Sequence, residues 1–476
     1  MRCNNTIRYS VGSVLVLGMA IVSQAHATNG MNLEGWGPVS KAMGGVGSAI
    51  ENGTAAVMNN PATLGLMDDG SHRVDLAVGF LGPDVSVDIP GLTAQSDGNA
   101  YWMPALGYAQ RNGQFTYGVG LFSQGGMGTD YKADSFLAAG SGEEVRSELS
   151  VGRLILPLAF QVNDKFTIGG TLDGVWGGMD LKMAMSGAQF GDFVADLGGT
   201  QTYGTASGTM VDGLVGMINA GVVTNVNWTR FDFSNSSSFS GKARGYGVGG
   251  KLGFTYQLTP QFRLGASYHT KVKLSDMKAD GTTVSMSIDA DLGAGPSTYE
   301  VPVQGEIRVK DFAWPAAINL GLAYQATDKL LLAADLKQYQ WSDVMGSFNM
   351  SFHADASQSN PVAAGFAGAT MDTTLYQDWD DQTVIALGAA YRASDQLTLR
   401  AGYNHANNPV PDFYVNPLFP AIVKSAVTAG MGYQFNDRHS VDFAISFVPE
   451  ETVTSSTGLE ISHSQTNFQI MYSNQF

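Results

Sequence analysis

Histidine, serine and carboxylate side chains carry most enzyme chemistry, and their spacing in this chain supports none. His72, His269, His353, His405, His439 and His463 show no HExxH or other metal-ligand spacing. No Gly-x-Ser-x-Gly elbow occurs. One Gly-x-Gly-x-x-Gly match, Gly245 to Gly250, enters a strand-like pattern instead of opening a helix, so it marks no dinucleotide site. A lipase assembled across strands from His269, a serine and an asparagine is the remaining enzymatic alternative, and phospholipid hydrolysis would reveal it. The reading is therefore a non-enzyme with no catalytic residue, cofactor or metal. What remains is apolar surface. Phe190, Phe193, Val194 and Leu197 fall at i, i+3, i+4 and i+7, and Met210, Val211, Leu214, Val215, Met217 and Ile218 continue a helical stripe. Two amphipathic helices there would offer a groove to a greasy ligand, at about 25 cal/mol per Å² of apolar area buried. Packing of one loop on another is an equal alternative.

The elements that must position such a groove are strands. Only 14% of the 476 residues are charged, against about 25% in an average soluble domain, and 59 are glycine. No internal run approaches the ~18 apolar residues of a membrane-spanning helix. The formal charge of -16 excludes counterion-driven nucleic-acid binding. Arg2 and Arg8, the apolar stretch from Val11 to Val22 and Ala25-His26-Ala27 read as a secretory signal over residues 1–27. The one cysteine, Cys3, belongs to that leader, so the exported chain has no disulfide to hold it.

From about residue 73 onward, apolar and small or polar residues alternate. The clearest case is a hairpin: Tyr246, Val248, Leu252, Phe254, Tyr256 and Leu258, a Thr259-Pro260-Gln261 turn, then Phe262, Leu264, Ala266 and Tyr268. Fourteen such strands are counted, near residues 73–81, 100–110, 114–122, 148–162, 166–181, 245–258, 262–274, 306–325, 330–341, 383–393, 397–406, 422–435, 439–448 and 461–476. Tight connections at Arg111-Asn112-Gly113, Asn163-Asp164-Lys165, Thr327-Asp328-Lys329 and Asn436-Asp437-Arg438 alternate with longer ones. This predicts an all-β, 14-stranded antiparallel transmembrane β-barrel over residues 73–476, with short periplasmic turns and long extracellular loops. Closure is required because lipid offers no partner to an unpaired edge N–H or C=O. A soluble sandwich also alternates, but it needs neither a signal nor a terminal Phe476. The loop at 182–244 is the longest and partly helical. Residues 28–72 precede the first strand, and Gly30, Gly35, Gly37, Gly44, Gly45, Gly47 and Gly53 suit a compact element folded inside the lumen.

The stretch from Gly30 to Leu64, with Asn60-Pro61-Ala62, resembles the plug of the FadL/TodX (OMPP1) family of outer-membrane transporters. Further likeness runs through Phe115 to Tyr131, Asp311 to Trp341, Ile385-Ala386-Leu387-Gly388, Leu397 to Gly402 and Pro409-Val410-Pro411. The resemblance implies a monomeric barrel in the outer membrane of a Gram-negative bacterium, plugged by residues 28–72. It also implies passive transport of hydrophobic molecules, foremost long-chain fatty acids, with lateral exit into the bilayer through a break in strand three. Uncharged aromatic or aliphatic hydrocarbons are the alternative cargo, and a general aqueous porin is the rival reading. Implied partners are the ligand, outer-membrane lipid and lipopolysaccharide, and the barrel-assembly machinery through Phe476.

Mapped onto this chain, the break falls at Ser123, Gly125, Gly126 and Gly128, where glycine tolerates a disrupted ladder. Asn60 and Pro61 would sit at the plug's core, with Asn60 hydrogen-bonding backbone to hold the plug shut. Lys182 lies near the family's carboxylate partner at the end of strand five, although its parity is that of lipid-facing Phe166 and Ile168. A second family lysine has no counterpart: Asp378-Trp379-Asp380-Asp381 stands in its place. Arg153, Lys271, Lys337 and Arg400 have lumenal parity and could substitute for it, although such residues more often line a solvated wall.

Overall fold

The computed structural model describes residues 29–237 and 240–476. The secretory signal read in residues 1–27 lies outside the described residues. Alternating side chains drive the chain into long antiparallel strands: β1 (His72–Ile89), β2 (Tyr101–Asn112), β3 (Phe115–Tyr131), β4 (Val145–Asn163), β5 (Phe166–Ser186), β6 (Val223–Phe233), β7 (Ala243–Thr259), β8 (Phe262–His269) and β9 (Met277–Asp291). They continue as β10 (Ala317–Thr327), β11 (Leu330–Tyr339), β12 (Gln382–Arg392), β13 (Leu397–Ala406), β14 (Ser425–Asn436), β15 (His439–Thr454) and β16 (Glu460–Gln475). On β7 the apolar set points outward, and Val248 is 70% exposed and Leu252 68%. Such exposure repeats around the ring, from Leu76 and Trp102 to Phe447 and Ile470, which makes it the lipid-facing surface of a membrane barrel.

The count of fourteen strands is corrected: the barrel closes through 16 antiparallel strands. The circuit runs β1 to β6 in order, then β9, β7, β8 and β10, then β11 to β16 and back to β1. β5 and β7 pair directly over residues 166–179 and then part. β6 and β9 fill the gap above, β6 on residues 181–186 of β5, with a bridge from Lys278 to Arg244 closing the circuit. The seam with no free edge is completed where His72 and Phe476 exchange backbone hydrogen bonds of 2.8 and 2.9 Å.

The undercount has a physical cause. Outside the membrane band the polarity of the wall inverts, so β9 turns Val284, Met286, Ile288 and Ala290 to the interior and leaves the opposite face to water. The stretch 306–325 divides into Pro296–Lys310 and β10, and Pro296–Lys310, Ser347–Ala354, Thr370–Tyr376 and Gly204–Ser207 extend the sheet from β9 as a crown. Within that crown Val301, Val303, Ile307, Phe348, Met350 and Phe352 join one continuous apolar interior.

Candidate functional site

Residues 29–67, nearly all buried, lie inside the bore and are hydrogen-bonded to strands around it. Pro38 opens a short helix, α1 (Pro38–Ala42), and Asn60 caps the 3-10 turn Pro61–Leu66 by accepting from Ala62 N at 3.1 Å. The Asn60 amide donates to Ser48 O at 2.7 Å and to Phe254 O on β7 at 3.0 Å. The barrel answers with buried polar groups. Asp335 Oδ2 accepts from Gly47 N, Ser48 N and Ser48 Oγ at 2.9, 3.0 and 2.8 Å, and Asp75 Oδ2 accepts from Thr54 N and Oγ1 at 2.8 and 2.9 Å. Lys337 Nζ donates to Gly45 O at 2.6 Å and Asn404 Nδ2 to Gly44 O at 2.8 Å. Close approach needs bare backbone on both sides: a Cβ at Gly402 would run into Gly44 N, and one at Gly253 into the Asn60 side chain.

Glu34 and Lys41, both buried, pair at 2.6 Å, and Ser446 Oγ on β15 donates to Glu34 at 2.5 Å. Burial opposes the charge on Glu34, but Lys41 and these hydrogen bonds outweigh it, so its carboxyl sits below the usual range. A depressed carboxylate contributes stability that is present above its unfolded value, near 4.5, and is lost as pH falls through the folded value. Ion conductance through the barrel is therefore expected to stay low at neutral pH and to rise only below about pH 4.5. Glu34→Gln should remove that acid transition, as read in planar bilayers.

Higher up, the wall is interrupted. β2 and β3 pair from Asn112↔Phe115 to Leu106↔Leu121 and no further, although β2 continues on β1 and β3 on β4. The β3 ladder to β4 jumps from Ser123↔Gly152 to Gly125↔Val151, which leaves Gln124 as a bulged residue. A Ser96↔Tyr131 bridge closes the gap above. The resulting cavity of about 240 Å³ crosses the wall from lipid-facing Trp102, Leu121 and Trp176 to buried Met31 and Leu149. Ser123, Gly125, Gly126 and Gly128 all line it. The N-terminal segment reaches the same place: Gly126 N donates to Met31 O at 3.1 Å, and Asn32 bridges to Gly125.

A second, tighter chamber of about 20 Å³ lies inward, among Met179, Leu181, Met183, Met345, Phe348 and Phe419. Met31 and Leu149 line both chambers and form the partition between them. Thioether side chains suit such a place because they repack around differently shaped guests.

The other sequence candidates sit elsewhere. Helix α2 (Gly187–Phe193) is shorter than the apolar stripe suggests, with Leu197 in a following 3-10 turn, while α3 (Thr209–Asn219) spans its stripe. Phe190, Phe193, Val194, Met210 and Leu214 are all buried, and Phe190, Met210 and Leu214 line a closed space of about 20 Å³ against Phe231, Met286 and Met371. Lys182 faces away from the chambers, paired with Glu144. Arg153 is buried in the lumen, bonded to Asp173 at 2.8 Å and to Gln124, and Lys251 pairs with the same Asp173 at 2.5 Å. Lys271 is exposed, Arg400 pairs with Asp442 at 2.7 Å and Lys337 holds Gly45. Sequence reasoning passed over Met31, Leu149, Gln124 and the edge-to-face contacts of Trp314, Trp341 and Trp379. Of these only Gln124 carried a signal, as the lone amide within a glycine-rich strand.

An apolar cavity that opens the wall of a lipid-faced barrel fits a transporter of hydrophobic compounds. The family described as outer membrane protein transport protein (OMPP1/FadL/TodX) matches residues 14–475. The chain belongs to this family. Among solved structures, the Pseudomonas putida toluene transporter TodX is 33% identical with a TM-score of 0.78, over 93% of this chain and 99% of that one. The Ralstonia pickettii toluene transporter TbuX is 30% identical with a TM-score of 0.73, over 94% and 99%. The long-chain fatty acid transport protein of Escherichia coli K12 is 23% identical over 460 residues, covering 94% of this chain and 93% of that one.

Proposed function

We propose that the protein carries small uncharged hydrophobic molecules, of the monoaromatic hydrocarbon class, by passive diffusion with lateral release into the bilayer. The observation that carries this reading is the chemistry of the two chambers: among the described residues, neither is lined by lysine or arginine. A fatty-acid carboxylate buried there would lack a counter-charge. Arg153 and Lys182, the carboxylate partners expected for a fatty acid, are committed to Asp173 and Glu144. Size agrees, since an apolar cavity of about 150 Å³ accepts benzene and the wall cavity measures about 240 Å³. The likeness to two toluene transporters points the same way.

In this reading residues 29–71 are the plug, Met31 with Leu149 is the valve, and the gap flanked by Ser123 and Gly128 is the exit. The apolar faces of α2 and α3 hold the crown together. No energy source is required, because cargo moves down its own gradient and the plug only has to shift between populated states. The test is uptake of radiolabelled toluene and palmitate by cells whose outer membrane carries the protein, against cells without it. Toluene uptake should rise while palmitate uptake stays at background. Palmitate uptake equal to that of toluene would sink the proposal.

A further inference from the structure

We infer that Gln124 is a positioning residue that ties the N-terminal segment to the interruption in β3, so that the two move as one. The inference rests on the lateral-release reading above. As the bulged residue, Gln124 has no cross-strand partner on β4, and its side chain is buried in the lumen. Both ends of its side-chain amide and its backbone carbonyl are used across elements. Its Nε2 donates to Asn32 Oδ1 at 3.1 Å, its Oε1 accepts from Arg153 Nε, and its backbone carbonyl accepts from Trp36 Nε1 at 3.1 Å. Asn32 Oδ1 accepts a second bond, from Trp314 Nε1 at 3.1 Å. Gln124 thus joins the strand beside the exit, the plug at Asn32 and Trp36 just after the valve residue Met31, and the buried Arg153–Asp173–Lys251 cluster on β4, β5 and β7.

The geometry makes this coupling costly to break in part. Buried donors and acceptors left without partners are destabilising, so the arrangement favours all bonds made or a concerted release. With Gln124 bonded, Asn32 stays against Gly125 and Met31 stays between the chambers. When the amide lets go, Asn32 keeps only the indole of Trp314 as a side-chain partner, and Met31 can leave the partition.

Motion of Met31 is directly measurable. The chain has a single cysteine, Cys3, so Met31→Cys in a Cys3→Ser background places one thiol at the valve. In purified protein without cargo, Gln124→Ala should raise the rate of its alkylation by a small maleimide about tenfold, and Asn32→Ala, which cuts the same link from the plug side, should do likewise. Lys182→Ala, on the outward pair with Glu144, should leave the rate unchanged. Heat-modifiable migration confirms that each barrel is folded. A role limited to strand stability would lower the unfolding temperature without changing alkylation, and alkylation within about twofold of the parent in both folded variants overturns the inference. Should Gln124→Ala not fold, Asn32→Ala decides alone by the same criterion. Because the assay contains no cargo, an error in the assigned substrate would not affect its outcome.

Discussion

Deleting residues 29–70 should turn a poorly conducting barrel into an open, unselective pore. The strands do not need the segment to pair: β1 meets β16 along its length, and the His72–Phe476 exchange lies outside the deletion. The lumenal groups that hold the segment, among them Asp335, Lys337, Asn404 and Asp75, would face water instead of an empty dry space, so no buried polar group is stranded. The folded variant should show an ion conductance on the order of tenfold or more above the parent in planar bilayers, as befits a bore that has become an aqueous channel. It should also lose preference between toluene and small polar solutes. A folded deletion variant that still conducts poorly would mean that something other than this segment occludes the bore.

Filling the wall cavity should have an effect of similar size on transport and almost none on assembly. Ser123 lines that cavity and is only partly buried, so the indole of Ser123→Trp can occupy the 240 Å³ space without entering the core. Substitution at the neighbouring glycines is less clean, because a Cβ at Gly125 would strike Met31 O and one at Gly126 the backbone of Leu149. Uptake of toluene by cells carrying Ser123→Trp should drop by roughly tenfold or more, which corresponds to about 1.4 kcal/mol of added barrier. Binding of toluene inside, followed by fluorescence of the buried Trp314 and Trp341, should persist. Undiminished uptake in this variant would eliminate the route between β2 and β3.

Much of the membrane-embedded wall could be read directly from period-two alternation. In lipid the outer face must be oily and the inner face is free to be polar, and segments such as Phe262 to Tyr268 carry that contrast plainly. The crown obeys the opposite rule, with water outside and an apolar interior. Val301, Val303, Ile307 and Val309 on Pro296–Lys310 alternate as regularly as any membrane strand, but a search for lipid-facing stripes does not single them out. The glycines between Ser123 and Gly128 mark the stretch where β3 leaves β2, because an interrupted ladder favours residues with little steric demand. The partners drawn to that stretch come from far away in the chain. Leu149 arrives through the β3–β4 hairpin, but Met31 and Trp314 are brought in only after closure, and no local pattern encodes that meeting. The pairing of basic residues is hidden from sequence for a related reason: parity puts Arg153 in the lumen, but its ion pair with Asp173 depends on the register of β4 against β5.

On the lateral-release reading, the stacking of an oily crown over the Arg153–Asp173–Lys251 ion pairs would also impose a direction. A hydrocarbon that has sunk past Phe348 and Met183 finds beneath it Arg153, Asp173 and Lys251, a floor it cannot solvate and has no means to dislodge. Sideways, past a single flexible thioether, lie the acyl chains. Discrimination against water-soluble solutes would then need no recognition motif: sugars and ions would be refused by the upper chamber, while grease would be deflected by the lower one. The periplasm would stay sealed from below even as cargo leaves.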